Sequence, residues 1–173
     1  NMLYASPGGP DASIIAVDRN TGKLIWKSKG PGEKSAYCSP LLITLGSRKL
    51  LVTRMERSIQ GYDASTGKFL WKFEFNMDPF VHPNVPVYID GMLYCVSGYG
   101  LGGIMLKLAP DGGSVSEIWR NAMLDPKMHG VVVLDGRIYG AGDRNRRFFC
   151  LDWKTGKEIF VLNQLAPANI ISN

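Results

Sequence analysis

Apolar residues in this chain fall in short runs of three to five, broken by glycine, asparagine and aspartate, and the strand-helix alternation of a solenoid is missing. The clearest unit is Ile14 to Gly30, IIAVDRNTGKLIWKSKG. Ile14-Ile15-Ala16-Val17 suits a strand buried on both faces, Asp18-Arg19-Asn20-Thr21-Gly22 is turn chemistry, and Lys23-Leu24-Ile25-Trp26 suits a returning strand, so the stretch predicts a hairpin. Asp18 is expected to accept hydrogen bonds from the backbone of the turn, and Gly22 to supply its positive φ. Trp26 offers a large flat surface for packing on a neighbouring unit.

The unit recurs. Ile59 to Phe75 places Asp63, Gly67 and Trp71 45 residues after their counterparts, and Cys150 to Leu162 repeats the pattern with Asp152, Gly156 and Phe160. A degenerate copy, Leu106 to Arg120, keeps an Asp-Gly turn and Trp119. The terminal aromatics Trp26, Trp71, Trp119 and Phe160 are therefore 45, 48 and 41 residues apart. A period of this size with four short strands per repeat predicts an all-β propeller of four-stranded antiparallel blades.

The pattern Asp-x-x-Thr-Gly-Lys-x-x-Trp at Asp18–Trp26 and Asp63–Trp71 resembles the tryptophan-docking repeat of the pyrroloquinoline-quinone-like (PQQ-like) β-propeller family. The resemblance covers essentially the whole chain, two copies in full and two in part. It implies the propeller fold, an extracytoplasmic, periplasmic setting in a bacterium, and one of two kinds of function. Quinoprotein dehydrogenases of this family oxidise alcohols with PQQ and calcium, whereas a lipoprotein of the outer-membrane barrel-assembly machinery uses a similar propeller as a protein-binding scaffold. A fold of this kind does not choose between them.

Taken in order, the chain reads as one domain, residues 1–173. Blade one (1–30) lacks its first strand, since Met2-Leu3-Tyr4 matches the second strands Met92-Leu93-Tyr94 and Arg137-Ile138-Tyr139, which follow the hairpin turns Asp90-Gly91 and Asp135-Gly136. Blade two spans 39–75, blade three 84–120 and blade four 130–162. Residues 168–173 read as the first strand of a next or closing blade. The expectation is about four blades of a seven- or eight-bladed ring, the rest of which lies outside this sequence; a closed four-bladed ring is the alternative. The start at Asn1 fits a processed protein or a piece of a longer one.

Composition narrows the picture modestly. The formal charge of +5 is scattered over turns such as Lys23, Lys68 and Lys157, which argues for a solvated surface and against a nucleic-acid partner. No apolar run reaches 18 residues, so no helical membrane span is expected. Cys38, Cys95 and Cys150 are isolated, without a Cys-x-x-Cys pair for zinc or dithiol chemistry. Cys95 and Cys150 fall in apolar strands and Cys38 beside a loop, so Cys38 is the thiol expected at the surface.

Strand order predicts that the loops joining second to third strands, and blade to blade, emerge on one face, where sites on a regular scaffold form. That face collects the candidates for ligand or partner binding: Tyr37, Arg54, Glu56, His82, Asn84, Tyr99, His129, Asp143, Arg144 and Asn145. His82 and His129 precede the first strands of neighbouring blades, and loop hydrogen bonding suits them better than a metal site, for which the spacing is wrong. Asp143-Arg144-Asn145-Arg146-Arg147 offers guanidinium groups to a carboxylate or phosphate, or is a solvated loop. The glycine run Gly98 to Gly103 leads into the strand-like Ile104 to Leu108, not a helix, so it is no dinucleotide fingerprint.

A quinoprotein site, as the resemblance implies it, needs a tryptophan stacked on PQQ, calcium held by carboxylate and amide oxygens, and an aspartate base, often beside a disulfide of adjacent cysteines. This chain has no Cys-Cys pair, and Trp26, Trp71, Trp119 and Trp153 are explained by blade packing or turn surface. Glu33, Glu56, Asp78, Asp125 and Asp143 are spread over several loops. The reading is a non-catalytic scaffold binding a protein or small ligand on its loop face, with no catalytic residue, metal or cofactor. The alternative is a PQQ- and calcium-dependent dehydrogenase with its site partly in blades outside this chain. Ligand binding by Tyr37, Tyr99, His82 and His129 is a third possibility.

Overall fold

The computed structural model describes residues 1–76 and 78–163. Within them the chain is all strand and turn. Fifteen strands form four antiparallel sheets. The first is β1 (Met2–Ala5), β2 (Ile14–Asp18) and β3 (Leu24–Ser28), and the second is β4 (Leu41–Leu45), β5 (Arg48–Arg54), β6 (Ser58–Asp63) and β7 (Phe69–Glu74). The third is β8 (Val87–Ile89), β9 (Met92–Ser97), β10 (Gly102–Leu108) and β11 (Val115–Asn121), and the fourth β12 (Val132–Leu134), β13 (Arg137–Ala141), β14 (Phe148–Asp152) and β15 (Glu158–Leu162). Each sheet runs up and down in chain order, which is the blade of a propeller. The first sheet has three strands. The strand expected at 168–173 lies outside the described residues.

The turns explain why the strands begin and end where they do. Asp18 Oδ1 accepts from the backbone N–H groups of Asn20 (3.0 Å) and Thr21 (2.9 Å) and from Thr21 Oγ1 (3.0 Å), while Gly22 N donates back to Asp18 O at 2.8 Å. Asp63 and Asp152 build the same turn with Thr66 and Thr155. Gly22, Gly67 and Gly156 all lie at φ between 66° and 73°, a region that costs other residues strain. Burial works against the charged form at Asp63, but the turn donors, joined there by the Arg48 guanidinium at 3.2 Å, outweigh it, and Asp18, Asp63 and Asp152 are all held below the ordinary carboxylate range. The hairpins at Asp90-Gly91 and Asp135-Gly136 have positive φ at both residues, as two-residue turns between twisted strands require.

The chain divides into two compact units. The first comprises Asn1–Val81 and Ala109–Val115, the second His82–Leu108 and the residues from Ser116 on. In the first, Ile14, Leu51, Tyr62 and Ala64 form a buried cluster with Tyr4 and Trp26 packed on it. The Trp71 indole is 6 % exposed, covers Gly61 on its own sheet, and donates from Nε1 to Gly112 O at 3.1 Å. In the second unit Tyr94, Met105, Leu124, Ile138, Phe149, Leu151 and Trp153 make the core, with Trp119 against it. Trp119 Nε1 donates to Trp153 O at 3.2 Å. Glycines at Gly61 and Gly103 leave room for the Trp71 ring and the Tyr94 phenol, which a Cβ would displace.

Two expectations about side-chain placement are corrected. Arg54 is not on a loop lip but ends β5, fully buried, its Nη1 donating to Phe75 O at 2.7 Å and its guanidinium 4.8 Å from the Phe75 ring centroid. A carbonyl and an aromatic face both receive the cation there. Cys38 is buried rather than exposed, like Cys95 and Cys150. Burial raises its thiol pKa, against a smaller opposite pull from Arg54.

Candidate functional site

Seven of the residues expected on the loop face, His82, Asn84, Tyr99, His129, Asp143, Arg144 and Asn145, lie in the second unit, where one buried carboxylate joins the loops bearing Tyr99 and Asp143. Asp125, 1 % exposed, sits in the connection between β11 and β12. Its Oδ2 accepts from Gly100 N at 3.1 Å and its Oδ1 from Asp143 N at 3.0 Å. One side chain thereby ties the loops after β9 and β13 to its own. Burial pushes the Asp125 carboxyl above the ordinary range, and the backbone donors of Gly100, Arg144 and Asp143 oppose that shift.

Around this clamp the polar side chains of the loops are spent on backbone groups. Asn84 Nδ2 donates to Pro126 O (2.8 Å), Asn145 Nδ2 to Met123 O (2.8 Å) and His129 Nε2 to Ala141 O (3.3 Å). His82, buried, meets Ser97 Oγ through Nδ1 at 2.6 Å. The two histidines are thus used in separate hydrogen bonds. Arg144 reaches Tyr99 O at 3.5 Å. Tyr99 takes a positive φ of 61° and lies under the Lys127 ammonium, 4.6 Å from its ring centroid. A Cβ at Gly98 would stand 2.7 Å from Lys127 Cα, so the close approach of these two loops requires that glycine.

The remaining candidates lie in the first unit. Glu56, with Glu33, Glu74, Arg57, Lys72 and Phe80, lines an open pocket of about 560 Å³. Glu33 organises it, accepting from Arg57 N and Ser58 Oγ at 2.9 Å each, with Lys72 Nζ 3.9 Å away. Lys72 pairs more closely with Glu74, at 2.5 Å. The Arg57 guanidinium stands 5.2 Å from the Phe80 ring centroid. Tyr37 is 75 % exposed at φ 72° beside a second hollow of about 350 Å³ lined by Tyr4, Ser6 and Ser35.

Sequence reasoning left Asp125 and Glu33 as scattered carboxylates and missed Lys127, Arg57 and Phe80 as partners. No spacing marks them; each is defined by a contact with a loop distant along the chain. Among the described residues no three of His, Cys, Asp and Glu come together in a way that could hold a metal ion. No described helix is long and apolar enough to cross a membrane.

Comparison with solved structures finds the same fold at low identity. BamB from Moraxella catarrhalis superposes with a TM-score of 0.67 at 15% identity, over 95% of this chain and 50% of that one. The computationally designed Ika8 protein gives 0.62 at 12%, over 97% and 50%. Quinohemoprotein alcohol dehydrogenase from Comamonas testosteroni gives 0.60 at 16%, over 98% and 36%. The chain thus spans half or less of the length of these structures. No curated protein matches it in sequence. The family model described as outer membrane protein assembly factor BamB matches residues 10–116, and on that match, with its blade-type sheets and repeated Asp-Thr-Gly turns, the chain belongs to this family of PQQ-like β-propeller proteins.

Proposed function

We propose that the chain forms part of a non-catalytic scaffold that binds a protein partner through its loops, outside the cytoplasm of a bacterium and within outer-membrane protein assembly, as the family description suggests. One observation carries the reading: the loops are held rigid from within and present aromatic rings with cations laid over them. Lys127 over Tyr99 in the second unit and Arg57 over Phe80 in the first are such pairs. Tyr and Arg on a pre-ordered surface are the side chains that dominate protein-binding energetics, because they bring contact area at little cost in ordering.

The alternative, a PQQ- and calcium-dependent dehydrogenase, finds less support in these residues. Trp71, Trp119 and Trp153 are committed to packing. The carboxylates Glu33 and Asp125 already accept hydrogen bonds from neighbouring loops. Photo-crosslinking from Tyr99 and Phe80 in living cells tests the proposal, with calorimetric titration of PQQ in the presence and absence of calcium beside it. A discrete extracytoplasmic protein adduct and no heat of quinone binding are expected. Calcium-dependent, one-to-one binding of PQQ would overturn the scaffold reading in favour of the dehydrogenase.

A further inference from the structure

The loops of the second unit gather positive charge that no carboxylate of the fold balances. Lys127 lies in the connection after β11, and Arg144, Arg146 and Arg147 lie between β13 and β14. Elsewhere Arg48, Lys72 and Arg120 close ion pairs with Asp63, Glu74 and Glu117. Among the described residues none of the four loop cations pairs with a carboxylate. The same loops bring the half-buried Asp143 and the buried Asp125, and Asp125 is committed to the backbone of Gly100 and Asp143.

These cations stand on a surface that is already fixed. Gly142 N donates to Arg147 O at 2.8 Å and Arg147 N to Asn145 Oδ1 at 3.1 Å, which closes the arginine loop on itself. Arg144 Nη1 reaches Tyr99 O at 3.5 Å, and Gly100 leaves room for it, since a Cβ there would strike Nη1. The Lys127 ammonium, 4.6 Å from the Tyr99 ring centroid, meets the same tyrosine from another loop. Asn84 Nδ2, by donating to Pro126 O at 2.8 Å, ties a further segment to that loop. Its neighbour Val85 is 45 % exposed, and Met128, next to Lys127, is 64 % exposed. Basic and apolar groups therefore share one ordered face, and arginine, methionine and tyrosine are the side chains in which protein interfaces are enriched.

We propose that this face docks an acidic segment of a protein partner, one that carries apolar side chains among its carboxylates. The inference rests on the scaffold reading above and adds the chemistry of the partner. Guanidinium groups receive carboxylates in bidentate pairs, which suits Arg144, Arg146 and Arg147. Apolar side chains of the partner would cover Met128 and Val85, and its charge would offset the mutual repulsion of the four cations.

A photoreactive residue in place of Met128, crosslinked in living cells with the adduct mapped by mass spectrometry, tests this. A discrete protein adduct is expected, on a segment with more Asp and Glu than Lys and Arg. Arg144→Glu combined with Arg147→Glu should cut its yield at least about tenfold, and Arg144→Lys with Arg147→Lys should retain more of it than the reversal does. The composition of the mapped segment needs no charge variant, so it decides the matter even if the reversal disturbs folding. An adduct on a neutral or basic segment, an adduct indifferent to charge reversal, or an adduct on anionic lipid in place of protein would each overturn this inference. Protein adducts from Tyr99 or Phe80 would then still support the scaffold reading. No protein adduct from Met128, Tyr99 or Phe80 would remove both.

Discussion

Removing the Trp71 side chain is the sharpest test of how the repeat is held together. Trp71 is 6 % exposed, its ring fills the space over Gly61, and its Nε1 donates to Gly112 O at 3.1 Å. Trp71→Ala should cost about 3 to 5 kcal/mol for the lost burial and the cavity left behind. The stranded Gly112 carbonyl adds about 1 kcal/mol where water does not reach it. Trp71→Phe separates the two contributions, because it keeps most of the area and loses the donor. It should cost about 1 to 2 kcal/mol, combining the missing hydrogen bond with a smaller packing defect. Urea melts followed by far-ultraviolet circular dichroism give both values without relying on the deleted fluorophore. A loss below about 1 kcal/mol for Trp71→Ala would refute the placement of this ring as a structural wedge.

The turn glycines should separate by environment: Gly67→Ala, with positive φ and the Trp26 ring in the way, should destabilise by more than about 2 kcal/mol in chemical melts, and Gly46→Ala, with positive φ and open space, by about 1 kcal/mol. Equal losses would show that backbone strain alone decides. The three cysteines are buried, so an aromatic disulfide reagent should label none of them in native protein and all three in denaturant; rapid labelling of Cys38 would contradict its burial. Asp18, Asp63 and Asp152 titrate low in the fold, so the stability they lend is complete above the unfolded carboxylate range and is lost as pH falls through their folded values. Acid melts should therefore steepen below about pH 4, less so in Asp63→Asn. Asp125 works in the opposite direction, its raised folded value making the charged form a cost that acid relieves, so Asp125→Asn should remove a fall in stability that otherwise accompanies rising pH above the ordinary carboxylate range, and an unchanged profile would refute this.

What could be read from the sequence follows the range of the forces involved. The Asp-x-x-Thr-Gly turns are closed by hydrogen bonds between residues two to four apart, so Asp18, Asp63 and Asp152 declare them locally, and the strands on either side follow from apolar runs of matching length. The repeat then located equivalent strands even where the pattern is weak, as at Met2–Ala5. Arg54 was misplaced because Arg54-Met55-Glu56-Arg57 is polar enough to pass for a loop. Its burial depends on Phe75, 21 residues away, which supplies both a carbonyl and a ring face. Cys38 was misplaced for a related reason, since its shelter is made by the strand bearing Thr53 and Arg54.

The loop cluster around Asp125 shows why the same sequence says so much about fold and so little about function. Its partners are the backbone N–H groups of Gly100 and Asp143, and any residue but proline supplies such a donor, so nothing in the side-chain pattern signals the bond. Burying a carboxylate costs several kcal/mol unless donors compensate it, and here the carboxyl remains pushed up despite them. Asparagine at the same position would avoid the charge but set an amide donor against one of the two backbone N–H groups, because each carboxylate oxygen accepts one of them. A charged clamp holds the loops under Tyr99 and Arg144 more tightly than a neutral one, because hydrogen bonds to an ionised acceptor are roughly twice as strong. The fold itself is secured by the aromatic wedges and the Asp-Thr-Gly turns. What Asp125 adds is order in the loops, and order in loops is of value where they must meet a partner in one shape.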